Sequence, residues 1–146
     1  MEETKIETPV EKTEEQIQLE NEQKTIDWII STIHQEGKSV TEISYIFCSD
    51  AYLHQMNLEY LNHDTYTDII TFDYTENSVV SGDIFISVDR VKENAKKFNT
   101  TFKNELSRVI IHGVLHLVGY KDKSTEQKQV MRSKEDFYLT LLFKNV

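Results

Sequence analysis

The sequence predicts an α+β domain: a small mixed β-sheet of about four strands packed by about five helices, one of them central. Three observations predict it. Short runs of β-branched and aromatic residues alternate with polar ones at a period of two, longer runs repeat their apolar residues at helical spacing, and the two kinds are interleaved along the chain. With 146 residues the chain is long enough for one core and needs no second domain.

The elements follow in order. Residues 1–15 are expected to form an acidic flexible tail, and residues 16–146 a single domain. Ile17 and Leu19 alternate with polar neighbours as a short strand does, and Ile26, Ile29, Ile30 and Ile33 then recur at helical offsets before Gly37. Ile43, Tyr45 and Phe47 mark a strand ending near Cys48. Asp50 is the expected cap of a helix whose Leu53, Met56, Tyr60 and Leu61 form one stripe, and residues 61–67 read as loop. Ile70, Phe72 and Tyr74 share one face of a strand, Ile84, Ile86 and Val88 one face of another, with residues 76–82 as the hairpin loop. Ser87 is placed to cap a helix carrying Val88, Val91, Ala95 and Phe98. Asn104 or Glu105 opens the next helix, whose Val109, Ile110, Ile111, Val114, Leu115, Leu117 and Val118 make it apolar on nearly every side, so it is the central one. A last amphipathic helix over residues 125–143 is expected to turn Val130, Phe137, Leu141 and Leu142 inward.

Composition narrows the function. The only cysteine, Cys48, cannot form an intrachain disulfide and reads as a small buried hydrophobe in its strand. No 18 apolar residues run together and the acidic N-terminus is no signal peptide, so the expectation is a soluble cytoplasmic protein with no membrane partner. A net charge of -9 argues at first sight against nucleic acid, whose phosphates favour Lys and Arg. Its distribution softens the objection. Residues 1–20 hold seven acids against Lys5 and Lys12, a charge of -5, whereas residues 90–108 hold six cations against Glu93 and Glu105, a charge of +4.

The candidate site lies in the central helix. Residues 112–122 read H-G-V-L-H-L-V-G-Y-K-D, which reduces to H-x3-H-x2-G-x2-D. Side chains four apart on a helix share a face, so His112 and His116 can both reach one ion, and Gly119 can end the helix and let the chain bring Asp122 back as a third ligand. Three protein ligands leave a fourth position open, which is the pattern of a catalytic zinc. The alternative is two buried histidines held by hydrogen bonds. In so apolar a helix each unpartnered imidazole costs roughly 1–3 kcal/mol, a cost that one divalent ion, most simply Zn2+, removes for both. In the zinc proteases of this spacing a glutamate follows the first histidine as general base; here that position is Gly113, which also leaves room for a bulky substrate backbone. No catalytic residue beyond the ligands is identified. A metal that polarises a phosphoryl oxygen suits a phosphodiester substrate.

The stretch from His112 to Tyr120 closely resembles the signature helix of the bacterial YbeY family of rRNA maturation factors. The resemblance extends to Asn57, to Thr67-Asp68-Ile69-Ile70-Thr71-Phe72, similar to the family's T-D-V-L-S-F, and to Gly82-Asp83-Ile84, similar to its G-D-I; it covers roughly residues 42–122. It implies a metal-dependent, single-strand-specific endoribonuclease acting in the cytoplasm on the 3′ end of small-subunit rRNA and in ribosome quality control. Implied partners are single-stranded rRNA, the small ribosomal subunit and ribosome-associated proteins. Two positions depart from the pattern. Asp122 stands where the family usually has a third histidine, which adds a negative charge to the site, and Leu61 stands where an arginine usually follows the aromatic residue. If that arginine holds phosphate, its task passes to another cation, for which Arg108 and Lys97 are candidates. Asp68 and Asp83 match family motifs and can position water or substrate, although an Asp at a strand start is more often a turn residue. His34, His54 and His63 lack ligand spacing, and His63 reads as exposed loop. Two further readings stand beside this one: a non-catalytic ribosome-assembly metalloprotein, and a zinc metalloprotease, against which Gly113 counts.

Overall fold

The computed structural model describes residues 22–63 and 65–144. The acidic tail and the strand expected at Ile17 and Leu19 lie outside the described residues. Within them the domain is α+β, with helices α1 (Glu22–Gln35), α2 (Asp50–Leu61), α3 (Val88–Lys97), α4 (Phe102–Val118) and α5 (Thr125–Lys144), and strands β1 (Ser39–Cys48), β2 (Ile69–Asp73) and β3 (Val79–Ser87). Three strands are therefore described where about four are expected from the sequence.

The sheet is mixed, in the order β1-β3-β2, with β1 parallel to β3 and β2 antiparallel to it. Strand residues alternate between faces, and each face has its own cover. Ile43, Tyr45, Phe47, Ile84 and Ile86 join the main core with α1, α4 and α5, while Ile70 packs with Leu53 and Met56 of α2, and Phe72 and Phe85 lie against that smaller cluster. Buried completely, Leu106, Ile110, Ile111, Val114 and Leu115 make α4 the central helix. No described helix is long and apolar enough to cross a membrane.

Several details depart from the sequence pattern, each for a local reason. Ser49, not Asp50, caps α2, its side chain accepting from Tyr52 N, and Thr101, not Asn104 or Glu105, caps α4 by accepting from Asn104 N. Asp50 instead reaches Arg90 at 2.7 Å and joins α2 to α3. The stripe of α2 is Leu53, Met56 and Asn57; Tyr60 and Leu61 are exposed, with the Tyr60 ring edge-on to Phe72 of β2 at 6.0 Å. Phe98 is exposed beyond the end of α3. On α5 the inward residues are Met131, Glu135, Tyr138, Leu139 and Leu142, while Val130 and Phe137 face out. Strand β3 starts at Val79, so Gly82 belongs to the strand and not to the hairpin loop. A Cβ there would stand 2.6 Å from the Phe72 carbonyl oxygen and 2.7 Å from Leu117, so glycine is required by close approach. Cys48 is half-buried in β1, and burial together with Asp89 and Asp50 pushes its thiol up to about 11, which keeps it unreactive.

Candidate metal centre

Helix α4 carries His112 and His116 one turn apart, and its end is built to return the chain. Gly119 adopts φ +127, its N–H meets the carbonyls of Leu115 and His116, and Tyr120 N meets Leu115 O, after which residues 120–124 fold back across the last turn. The structure brings the three sequence candidates together: His112 Nε2 and His116 Nε2 are 3.0 Å apart, and Asp122 Oδ2 lies 3.3 Å from each. Ligand atoms placed tetrahedrally about 2.0–2.1 Å from one zinc ion are about 3.3–3.4 Å from one another. The triad has nearly these spacings.

The donor chemistry fits the same group. His112 Nδ1 faces Glu135 Oε2 at 2.6 Å and His116 Nδ1 faces the Tyr120 carbonyl at 3.0 Å; both partners are acceptors, so each ring places its proton on Nδ1. Both Nε2 lone pairs then converge with a carboxylate oxygen, an arrangement in which three acceptors can close on one cation. Burial works against an imidazolium at His112, but the hydrogen bond and charge of Glu135, with Asp122 and Asp68 adding, outweigh it and hold the pKa above its ordinary value. The pocket is thus electrostatically set for positive charge.

Two residues that hold the candidate ligands do so through contacts that the local sequence does not signal. Glu135, 4 % exposed, comes from α5 and holds both His112 and Arg108, the latter at 3.0 Å. It becomes visible only when α5 is phased on Met131, Tyr138 and Leu142. Tyr120 carries the second brace: its carbonyl holds His116 while its hydroxyl donates to Glu36 Oε1 at 2.6 Å. Glu36 in turn accepts from Tyr138 and from Lys134. The carboxylate at the end of α1 therefore clamps α5 and the turn after α4 together.

A cavity of about 370 Å³ opens over the triad, lined by His112, His116 and Asp122 and also by Asn57, Leu61, His63, Thr65 and Asp68. His63 is exposed, as its loop predicts, yet borders this cavity. Asp68 precedes β2, where its carbonyl accepts from Ser87 N, and its carboxyl is pushed up by burial, with His112 opposing and Glu135 adding. Asp83 is elsewhere, accepting from the Tyr74 hydroxyl at 3.2 Å. His54 stacks on Tyr66, with ring centroids 4.2 Å apart. Gly113 is not open to a substrate. It is buried against the sheet, and a Cβ there would meet Ile69 Cδ1 at 2.8 Å and Ile84 Cγ2 at 3.1 Å. The position that holds a general base in zinc proteases is thus a packing position here. Of the two cations considered for phosphate, Arg108 is held by Glu135 and Asp136, and Lys97 lies over the Phe98 ring.

Comparison with known proteins gives a concordant result. The sequence model of the family described as Endoribonuclease YbeY matches residues 7–142. A protein of Flavobacterium johnsoniae named Endoribonuclease YbeY is 58% identical over 123 residues, covering 84% of this chain and 88% of the relative. One of the same name from Cytophaga hutchinsonii is 52% identical over 131 residues, covering 89% and 92%. The solution structure of TM1509 from Thermotoga maritima superposes with a TM-score of 0.69 at 27% identity, covering 97% of this chain and 90% of that one.

Proposed function

Because the chain belongs to the endoribonuclease YbeY family, we propose that it is a metal-dependent endoribonuclease that cuts single-stranded RNA, with the 3′ end of small-subunit rRNA as its substrate and the small ribosomal subunit as its place of action. The observation that carries this reading is the convergence of His112 Nε2, His116 Nε2 and Asp122 Oδ2 in an open cavity, with both histidine protons accounted for elsewhere.

In this reading His112, His116 and Asp122 hold one divalent ion, with Zn2+ favoured by the near-tetrahedral spacing of the three atoms. When bound, such an ion polarises a phosphoryl oxygen and acidifies water. The residues around it do the positioning. Glu135 and the Tyr120 carbonyl fix the two imidazole tautomers and aim their Nε2 atoms. Asp68, on the wall shared with the ligands, holds water or substrate beside them. Asp122 in place of a third imidazole leaves one more negative charge in the site and a weaker Lewis acid than three neutral ligands give. The buried packing of Gly113 leaves the peptidase reading without its base.

A second reading, a ribosome-assembly protein with a structural metal, is favoured by one observation: no Lys or Arg is among the described residues lining the cavity over the triad, and Leu61 lines it instead. Chelation separates the two. Treating the protein with a zinc chelator and then restoring Zn2+ should abolish and restore cleavage of a single-stranded RNA while the fold persists. RNA left intact by the metal-loaded protein, together with retained binding to small subunits, supports the second reading.

A further inference from the structure

Among the described residues lining the cavity over the triad there is no Lys or Arg, so a phosphodiester strand needs a cation elsewhere, and cations line a second cavity that shares His112 and Asp122 with the first. From His112 and Asp122 a second cavity of about 440 Å³ continues between α3, α4 and α5, with Lys128 on its wall. A third, of about 760 Å³, shares Phe98, Glu105, Arg108 and Arg132 with it. On α4, Glu105, Arg108, His112 and His116 fall at intervals of three and four, so a single helix face lines the groove from its far end to the metal ligands. Glu105 is seven residues from His112, about 10 Å at the helical rise, or about three nucleotides at the stacked rise of a strand.

Each wall of the far end has a group of one chemical kind with unused capacity. Arg132 is 65% exposed and reaches Glu135 and Asp136 only at 3.9 and 4.0 Å, in contrast to the tightly held Arg108. Lys128 is exposed one turn before it. Phe98 presents its ring at 59% exposure, beside Lys97. Glu105 is only 7% exposed, yet its carboxylate makes no hydrogen bond or ion pair with any described residue; Arg108, on the same helix face, is taken by Glu135 and Asp136. Burial, with Asp68 adding, raises the Glu105 pKa, as expected of a carboxylate without a donor. An aromatic platform, exposed cations and an acceptor without a donor are the parts of a nucleotide-reading site. Guanine is the base whose Watson–Crick edge presents two adjacent N–H donors to the two oxygens of a carboxylate.

We propose that the RNA strand on one side of the cut follows this groove to a guanine-selective subsite, where the base stacks on Phe98 and donates to Glu105 while Arg132 and Lys128 hold the phosphates. The subsite deepens the endoribonuclease reading and rests on it, but binding can be read without cleavage. The probes are two fluorescent single-stranded 12-mers, oligouridine and the same strand with one central guanosine, measured by anisotropy on His116→Ala protein with and without a second substitution. The guanosine strand should bind about tenfold more tightly, and Glu105→Gln should remove that preference while leaving oligouridine binding unchanged. Phe98→Ala should weaken both strands about tenfold. Arg132→Ala with Lys128→Ala should weaken both and lower the salt slope by about 0.7 for each phosphate no longer neutralised. Equal binding of the two strands, or a preference that survives Glu105→Gln, overturns the subsite whether or not the wild type cleaves RNA. Wild type that leaves the 3′ precursor end of small-subunit rRNA uncut, with the guanosine preference intact in the binding assay, overturns the endoribonuclease reading while the guanine-selective RNA-binding subsite stands.

Discussion

Replacing Glu135 with glutamine keeps the shape of the side chain and removes its charge, and thus isolates what the carboxylate does for His112. In the structure that carboxylate accepts from His112 Nδ1 at 2.6 Å and from Arg108 at 3.0 Å, so the imidazole is both oriented and made more basic from behind. Removing such a partner typically costs 10–100-fold in metal affinity. Taking a loss of about 30-fold, metal supplied at about 100 times the wild-type Kd stabilises the wild type by about 2.7 kcal/mol and the variant by only about 0.9 kcal/mol. At about 2–4 °C per kcal/mol for a domain of this size, the metal-induced rise in Tm should be about 4–7 °C smaller in Glu135→Gln. The assay is a pair of thermal melts, with and without Zn2+, for each protein, backed by competition against a chromophoric chelator. Equal metal-induced shifts and equal affinities in the two proteins would refute the claim that Glu135 orients a metal ligand.

Three further perturbations follow from the geometry. Gly113→Ala should lower stability by about 1–3 kcal/mol, read as the urea midpoint, because its Cβ would stand 2.8 Å from Ile69 and 3.1 Å from Ile84; an unchanged midpoint would show that the sheet has room there. Asp122→Ala should weaken Zn2+ binding while leaving the stability of the metal-free protein, read by urea unfolding, within about 0.5 kcal/mol of metal-free wild type, since Asp122 is 38% exposed and, among the described residues, its ion pairs are with the two histidines; a chelated wild type that unfolds together with the variant would favour a structural metal. The Glu36 clamp should be acid-sensitive. Burial raises its carboxyl, but hydrogen bonds from Tyr120, Tyr138 and Lys134 outweigh this and hold it below the ordinary value of 4.5. A carboxyl whose pKa is lower folded than unfolded adds stability that is full above the unfolded value and is lost as pH falls through the folded one. The stability difference between wild type and Glu36→Gln should therefore be constant at neutral pH and shrink below about pH 4.5. A difference that stays constant down to about pH 3 would contradict the clamp.

The parts of this molecule legible in sequence are those encoded by local period. Five helices and the strands ending at Cys48, Asp73 and Ser87 stand where apolar spacing puts them, and Gly119 turns the chain as its position predicts. The three candidate ligands lie within about ten residues of one another, so helix geometry and one tight turn suffice to bring them together. What could not be read depends on packing between distant segments. Glu135 reaches His112 from α5, and Val130 and Phe137 on the opposite face supply an apolar stripe of the right spacing but the wrong phase. Glu36 meets Tyr120 across 84 positions. Gly82 and Gly113 read as loop and substrate clearance until the sheet and α4 are seen to press on Gly82, and Ile69 and Ile84 on Gly113.

The central claim, that RNA is cut at the His112, His116 and Asp122 site, is tested most directly by single-turnover cleavage of a single-stranded RNA carrying the 3′ precursor end of small-subunit rRNA, with Zn2+-loaded wild type and His116→Ala purified in parallel. The account predicts discrete products from the wild type and a loss of at least about 100-fold in rate for the variant, as removal of a group central to transition-state stabilisation costs. Equal rates from the two proteins would contradict it and move the chemistry away from this site.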